Sequence, residues 1–294
     1  MSENSHETGG GTPLDDLRRE IDRIDDNLHD LLMERAQIVE KVAAVKGEEG
    51  LTVIHPGREI AILRRLAGRH GGRLPIGVIA RMWREMLSGT VFMQGPFSVA
   101  VYADGDNQGV WDLARDQFGS HSEMTAHSSP REVLHQVMTG AVTVGVLPAP
   151  AEHDPDHWWL LLCLANAPRV FSKLPFAGPG NARGPQHEAL AVGQIRPVAT
   201  GDDRTVIVLE TREAFSRDGL GELLRGAGLE PVKLVSTRTG SWMHLAEVAS
   251  FVGEDDPRLA ALQARDDVLR TVWVGAYGMP LVVAAVATPA GANA

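Results

Sequence analysis

Arg35 and Lys46 are the pair from which a chemical reading of this chain starts. They are eleven residues apart, which at about 100° per residue puts them within about 20° on one helical face and ~16 Å apart along its axis. Two long basic side chains leaning toward each other from such positions can hold a small anion between them. Lys46 also closes its helix, where a cation complements the macrodipole. Further along, Arg58 and Glu59 stand together in what reads as the first turn of a helix. Thr90 and Gln94 form an i,i+4 polar pair on an otherwise apolar helix. The same residues also fit an ordinary reading: solvated basic residues on a long helix, a charged first turn, and a half-exposed polar pair near a helix end. Spacing alone does not separate the two.

The elements that must position these residues are legible. From Leu14 the apolar residues Leu17, Ile21, Ile24, Leu28, Leu31/Leu32, Ile38, Val42 and Val45 keep an alternating three- and four-residue spacing. Thr12-Pro13 followed by Asp15 and Asp16 is a start signal, and Gly47 a stop. A helix of that length, about 45–50 Å, needs another long helix or another chain to cover its apolar seam. A second helix is expected from His55-Pro56 to Gly68. A third runs from Pro75 to Gln94, ended by Gly95-Pro96.

Beyond Phe97 the pattern changes to α/β. Ser98–Tyr102 and Val142–Leu147 read as short buried strands, with a helix at Pro130–Thr139 between them. The Pro-, Gly- and His-rich stretch from Ala149 to Thr200 gives no secure assignment. After it come strand 205–210, helix 214–226, strands 230–237 and 242–252, helix 257–265 and strand 271–276. That βαββαβ order is the ferredoxin-like split-βαβ pattern.

A length of 294 residues suggests two or three domains. A net charge of −10 supplies no basic field for nucleic acid or an anionic membrane, so neither is expected as a partner. Cys163 is the only cysteine, which excludes an intrachain disulfide and a cysteine-based zinc site and fits a reducing cytoplasm. The opening MSENSHETGGGTP has neither a basic start nor an apolar stretch and reads as a disordered lead-in, not a signal peptide. No apolar run approaches a membrane span.

Five segments together carry a family resemblance: Leu17–Asp22, Leu31–Arg35, Val45-Lys46, Pro56–Glu59 and Thr90–Gln94. In this order and at these separations they resemble the all-helical chorismate mutases. The resemblance implies that Arg18 and Arg35 hold the two carboxylates of chorismate, and that Lys46 and Gln94 donate to its ether oxygen. It further implies that Arg58 supports the carboxylate site, Glu59 binds the substrate hydroxyl, and Thr90 lies beside a bound carboxylate. His55 and Thr90 depart from the family, which commonly has Asp and Ser there. The reaction, rearrangement of chorismate to prephenate, needs no cofactor or metal. It needs the dianion folded into its reactive conformer and negative charge stabilised on the breaking ether bond. Arginine suits the first task because its planar fork grips carboxylates bidentately. Arg18 and Arg35 are seventeen residues apart, ~25 Å along one helix and about 100° around it, so one small ligand cannot touch both on the same helix. If both serve one site, Arg18 comes from a second chain, and an intertwined homodimer is expected.

The remainder resembles prephenate dehydratase with its ACT regulatory domain, in degraded form. Pro130–Val137, Val144–Pro148, Gly201–Val206 and Trp273–Gly278 carry the likeness. Ala149-Pro150-Ala151 and Arg204-Thr205-Val206 replace the family's catalytic sequences, and the segment between them is short. Asp218-Gly219-Leu220 and Ser236–Thr239 replace its phenylalanine-binding sequences. The organisation expected is therefore a disordered 1–12, a helical mutase domain at 13–95, a truncated dehydratase-like α/β domain at 96–200, an ACT-like domain at 201–285 and a tail at 286–294. A bifunctional mutase/dehydratase, an isochorismate-pyruvate lyase and a non-catalytic sensor of aromatic metabolites are the competing readings. His153, Asp154, Asp156 and His157 read as a solvated loop rather than a metal site, and Trp158-Trp159 as core.

Overall fold

A computed structural model describes residues 12–49, 53–105, 108–154, 156–178, 180, 183 and 188–283, with the backbone alone for 46–49. The expected segments 1–12 and 286–294 lie, Thr12 apart, outside the described residues. The chain divides into two compact units, residues 1–51 and 52–294.

The first unit is one helix, α1 (Pro13–Glu49). Its start follows from the residues named above. Thr12 Oγ1 accepts from the Asp15 backbone N–H at 3.3 Å, and the Asp15 carboxylate accepts from the Thr12 N–H at 3.0 Å and hydroxyl at 2.7 Å. That reciprocal cap satisfies donors a helix N-terminus otherwise leaves open, and these bonds hold the Asp15 carboxyl below its ordinary pKa. Pro13 needs no N–H at the first helical position. Leu17, Ile21, Ile24, Leu28, Leu31, Ile38, Val42 and Val45 stand exposed along it.

The second unit opens with α2 (Pro56–Arg69) and α3 (Ile76–Phe92). It continues through β1 (Ser98–Tyr102), α4 (Gly109–Phe118), β2 (Glu123–His127), α5 (Pro130–Met138) and β3 (Val144–Pro148). The stretch that sequence left unassigned holds a 3-10 helix (Trp158–Cys163), β4 (Arg169–Leu174), β5 (Ala177–Gly178) and β6 (Ala189–Gly193). Then come β7 (Asp203–Thr211), α6 (Arg217–Gly226), β8 (Pro231–Thr239), β9 (Ser241–Val248), α7 (Pro257–Gln263), β10 (Val268–Gly278) and β11 (Leu281–Val282).

Among the described residues a nine-stranded sheet runs in the order β2-β1-β3-β6-β4-β10-β7-β9-β8. β2, β1 and β3 are parallel, and α4 and α5 supply the crossovers that parallel neighbours need. The last four strands are mutually antiparallel and form the expected βαββαβ unit, with α6 and α7 packed on one face through Leu220, Leu224, Leu259 and Leu262. The other face meets the 3-10 helix, whose Trp158 and Trp159 are core residues, as expected. The two halves of the sheet join where Gly275 on β10 pairs with Val170 on β4. Gly275 has φ +140°, and a Cβ there would sit 2.1 Å from the Val170 carbonyl oxygen, so the junction admits only glycine.

α2 and α3 pack on this α/β body. The Arg64 guanidinium donates to Thr200 O and Oγ1, Asp202 O and Met279 O at 2.6–3.1 Å, fastening α2 to the ends of β7 and β10. α3 lies against the end of α4: Arg81 pairs with Asp116 at 3.2 Å, and Glu85 accepts from the Ser120 N–H at 2.9 Å. Gly119, with φ +82°, terminates α4, and a Cβ on it would meet Ser88 Cβ at 2.9 Å. Among the described residues no helix is long and apolar enough to cross a membrane.

Candidate active site

In the first unit, Arg18 and Arg35 stand on α1 with different surroundings. Arg18 is largely exposed and rests 3.4 Å from Asp15, one turn back. Arg35 is half-buried. The Lys46 side chain lies outside the described residues. One helix thus carries both arginines, seventeen residues apart.

In the second unit, α2 and α3 present the other expected residues. His55 is the residue before α2, without a side-chain capping bond, and the Glu59 N–H donates to its carbonyl at 3.1 Å. Pro56 occupies the first turn, and Glu59 adds the negative charge that a helix start favours. Arg58 is exposed and Glu59 is turned inward. On the last turn of α3 the Thr90 hydroxyl donates to Leu87 O at 2.8 Å, and Gln94 Nε2 donates to Thr90 O at 3.0 Å. Both polar groups are therefore half-buried and bonded back to the helix backbone. Arg58, Glu59, Thr90 and Gln94 come from two neighbouring helices of one unit, which sequence order alone does not guarantee.

Arg84 is the residue that sequence reasoning missed. Its Nη1 donates to Glu59 Oε2 at 2.5 Å, while Nε and Nη2 both donate to the Gln117 carbonyl, at 3.0 and 2.5 Å. Its side chain is 4% exposed, that of Glu59 14%. The Phe176 ring lies 5.5 Å from the guanidinium carbon. A signal was available: Ala80, Arg84, Leu87, Ser88 and Val91 form the buried stripe of α3, and an arginine in such a stripe demands a buried partner. A cavity of about 30 Å³ lined by Glu59, Arg84 and Lys173 flanks the pair. A smaller one is lined by Glu59, Arg84, Ser88 and Phe118.

One of the positions where the dehydratase likeness would place its catalytic triplet, Thr205, is bonded within the fold. The Thr205 hydroxyl donates to Ser250 O at 2.7 Å and accepts from the Val252 N–H at 2.8 Å, closing the loop after β9. In the βαββαβ unit, His244 is buried between Ser236 Oγ at 2.8 Å and Thr211 Oγ1 at 3.1 Å, and burial pulls its pKa down. The Tyr277 hydroxyl donates to Glu247 Oε2 at 3.1 Å, and burial together with that carboxylate pushes the phenol far above its ordinary range. His157 packs edge-on to Trp159, and Asp154 accepts from the Ala151 N–H at 2.7 Å.

Residues 17–95 match the family model described as chorismate mutase type II. Over 137 residues the chain is 33% identical to the bifunctional chorismate mutase/prephenate dehydratase of Pseudomonas aeruginosa, covering 45% of this chain and 37% of that protein. Over 139 residues it is 30% identical to the enzyme of the same description from Aquifex aeolicus, covering 46% and 38%. Both alignments are longer than segment 17–95, so the similarity continues past it. The chain spans under two fifths of the length of the curated relatives it matches. Among solved structures, prephenate dehydratase from Arthrobacter aurescens in complex with L-Phe matches 63% of this chain and 93% of that one, at 13% identity and a TM-score of 0.45.

Proposed function

From residues 17–95, a type II chorismate mutase domain, we propose that this chain rearranges chorismate to prephenate in aromatic amino acid biosynthesis. The observation that carries the reading is that Arg18, Arg35, Lys46, Arg58, Glu59, Thr90 and Gln94 all fall inside that one matched segment. Their assigned tasks are those the reaction requires. Arg35 and Arg18 grip the two carboxylates and fold the substrate, and Arg58 supports that grip. Thr90 lies beside a bound carboxylate, and Glu59 takes the ring hydroxyl. Lys46 and Gln94 donate to the ether oxygen, where charge grows as the bond breaks. No nucleophile, metal or redox group enters the step.

The working form is a homodimer. α1 exposes an apolar seam along its whole length, and a helix of this kind gains most of its stability from packing that face. A second copy of α1 supplies a matching seam and brings its own Arg18 to the Arg35 of its partner. Residues 13–95 are then the mutase domain, 96–200 a shortened dehydratase-like region and 201–285 an ACT-like domain, in a cytoplasmic enzyme.

Purified protein incubated with chorismate should consume it, followed by loss of its ultraviolet absorbance, and yield prephenate. Arg35→Ala and Lys46→Ala should each lower kcat/KM by at least about a hundredfold, since each removes a charged contact in a preorganised site. A well-folded wild type that leaves chorismate intact would sink this reading in favour of a binding role. The similarity to bifunctional enzymes that continues past residue 95 favours a second reading, with dehydratase activity as well. Phenylpyruvate formed from prephenate would establish it; the engagement of Thr205 in loop closure supports its loss.

A further inference from the structure

We propose that Arg84 is a positioning residue for this rearrangement: it fixes the carboxylate of Glu59, and so ties recognition of the substrate hydroxyl to the end of α4. The proposal rests on the mutase reading above and adds a residue that the reading does not contain. Three features of the structure carry it.

The first is the cost of placing a guanidinium there. Arg84 is almost fully buried, and so is much of Glu59. Burying an ion pair is a poor way to stabilise a fold, because desolvation offsets the attraction, and apolar residues of similar size often serve stability as well or better. The arginine is better explained by what it orients.

The second is the division of labour on the guanidinium. Nη1 donates to Glu59 Oε2, and Nε and Nη2 each donate to one carbonyl, Gln117 O, in the last turn of α4. Carbonyls there lack a helical partner and sit at the negative end of the helix dipole, so they hold a cation in a defined place. Glu59 Oε1 has no donor among the described residues and stays available to accept a hydrogen bond from a ligand hydroxyl.

The third is the approach that makes this geometry possible. Gly119 ends α4 in a left-handed conformation and leaves room for Ser88 of α3, one turn from Arg84. Arg81–Asp116 and Glu85–Ser120 hold the same two elements together on either side. The α/β body thereby sets where the Glu59 carboxylate stands.

The test is a double-mutant cycle on kcat/KM for chorismate, with Glu59→Gln, Arg84→Met and both together, alongside wild type and Arg35→Ala. Arg84→Met is expected to lose roughly ten- to a hundredfold, the scale of a misplaced contact, mostly in kcat. The double variant should be little worse than Glu59→Gln, because the two act as one unit. A chorismate analogue lacking the ring hydroxyl should react at the same rate with wild type and Arg84→Met, which a merely structural loss would not give. If Arg84→Met does not fold, Arg84→Lys, which keeps the charge but not the fork, is expected to show an intermediate loss with the same insensitivity on the deoxy analogue. A folded Arg84 variant within twofold of wild type, or losses that multiply in the double variant, would overturn the proposal while active wild type and dead Arg35→Ala left the mutase standing. Inactive wild type would overturn both.

Discussion

At the scale of single residues, the polar groups with the clearest duties are those that buried surroundings leave no choice. Arg84, in the buried stripe of α3, and Glu59 of α2 answer each other, and the Thr205 hydroxyl serves a donor and an acceptor of one loop at once. Gly275 is as constrained as any side chain. Its φ of +140° belongs to a region essentially reserved for glycine, and Val170 backbone fills the space where a Cβ would go. Gly275→Ala should destabilise the second unit by at least ~3 kcal/mol, combining backbone strain with overlap against backbone that cannot yield. Chemical denaturation followed by tryptophan fluorescence reads this directly; a midpoint within error of wild type would refute the close approach.

Among the elements, α1 is the one whose composition and surroundings disagree. Its seam has the spacing of a packed helix while Ile24, Leu28 and Leu31 stand 44%, 51% and 61% exposed. A dimer along this seam resolves the disagreement. Leu28→Asp, which places a charge in the middle of that seam, should shift the protein to monomer in light scattering coupled to size exclusion. It should also reduce chorismate turnover at least about a hundredfold if Arg18 reaches the partner's site, since a carboxylate grip is then missing. A monomeric wild type with full activity would rule out the shared site. α2 and α3 pose no such problem, because Arg64, Arg81, Arg84 and Glu85 anchor them to the α/β body.

For the whole molecule, acid stability provides a measurable signature of the C-terminal unit. Burial lowers the pKa of His244 in the folded state from its ordinary 6.5, so the unfolded chain takes up that proton first as pH falls. The stability tied to neutral His244 is therefore complete above pH 6.5 and is lost as pH drops below it toward the lowered folded-state value. Between about pH 7.5 and about pH 5.5 the melting temperature of wild type should fall further than that of His244→Gln, which keeps hydrogen-bonding capacity without the titration. Equal falls in the two proteins would show that His244 does not contribute to the acid response.

Most of the helical boundaries and the βαββαβ order were readable in advance, because amphipathic spacing and signals such as Thr12-Pro13, His55-Pro56 and Gly95-Pro96 act locally and need no knowledge of the rest. α4 and β2 went unread, as did the strands between Ala149 and Thr200. These are short segments, and β6 is buried along its whole length, so no alternation marks it. The candidate ligand set was visible as residue types at family spacing, yet Arg84 was not. Its role depends on a carbonyl 33 residues away, brought beside α3 by a glycine turn. The sequence by itself determined most of the helices, α4 excepted, and which charges they carry, since both follow from interactions within a few turns. Only the tertiary structure decided that α2 and α3 pack against the α/β body and that Glu59 is held there, because burying a charge is settled by whichever distant groups arrive to satisfy it.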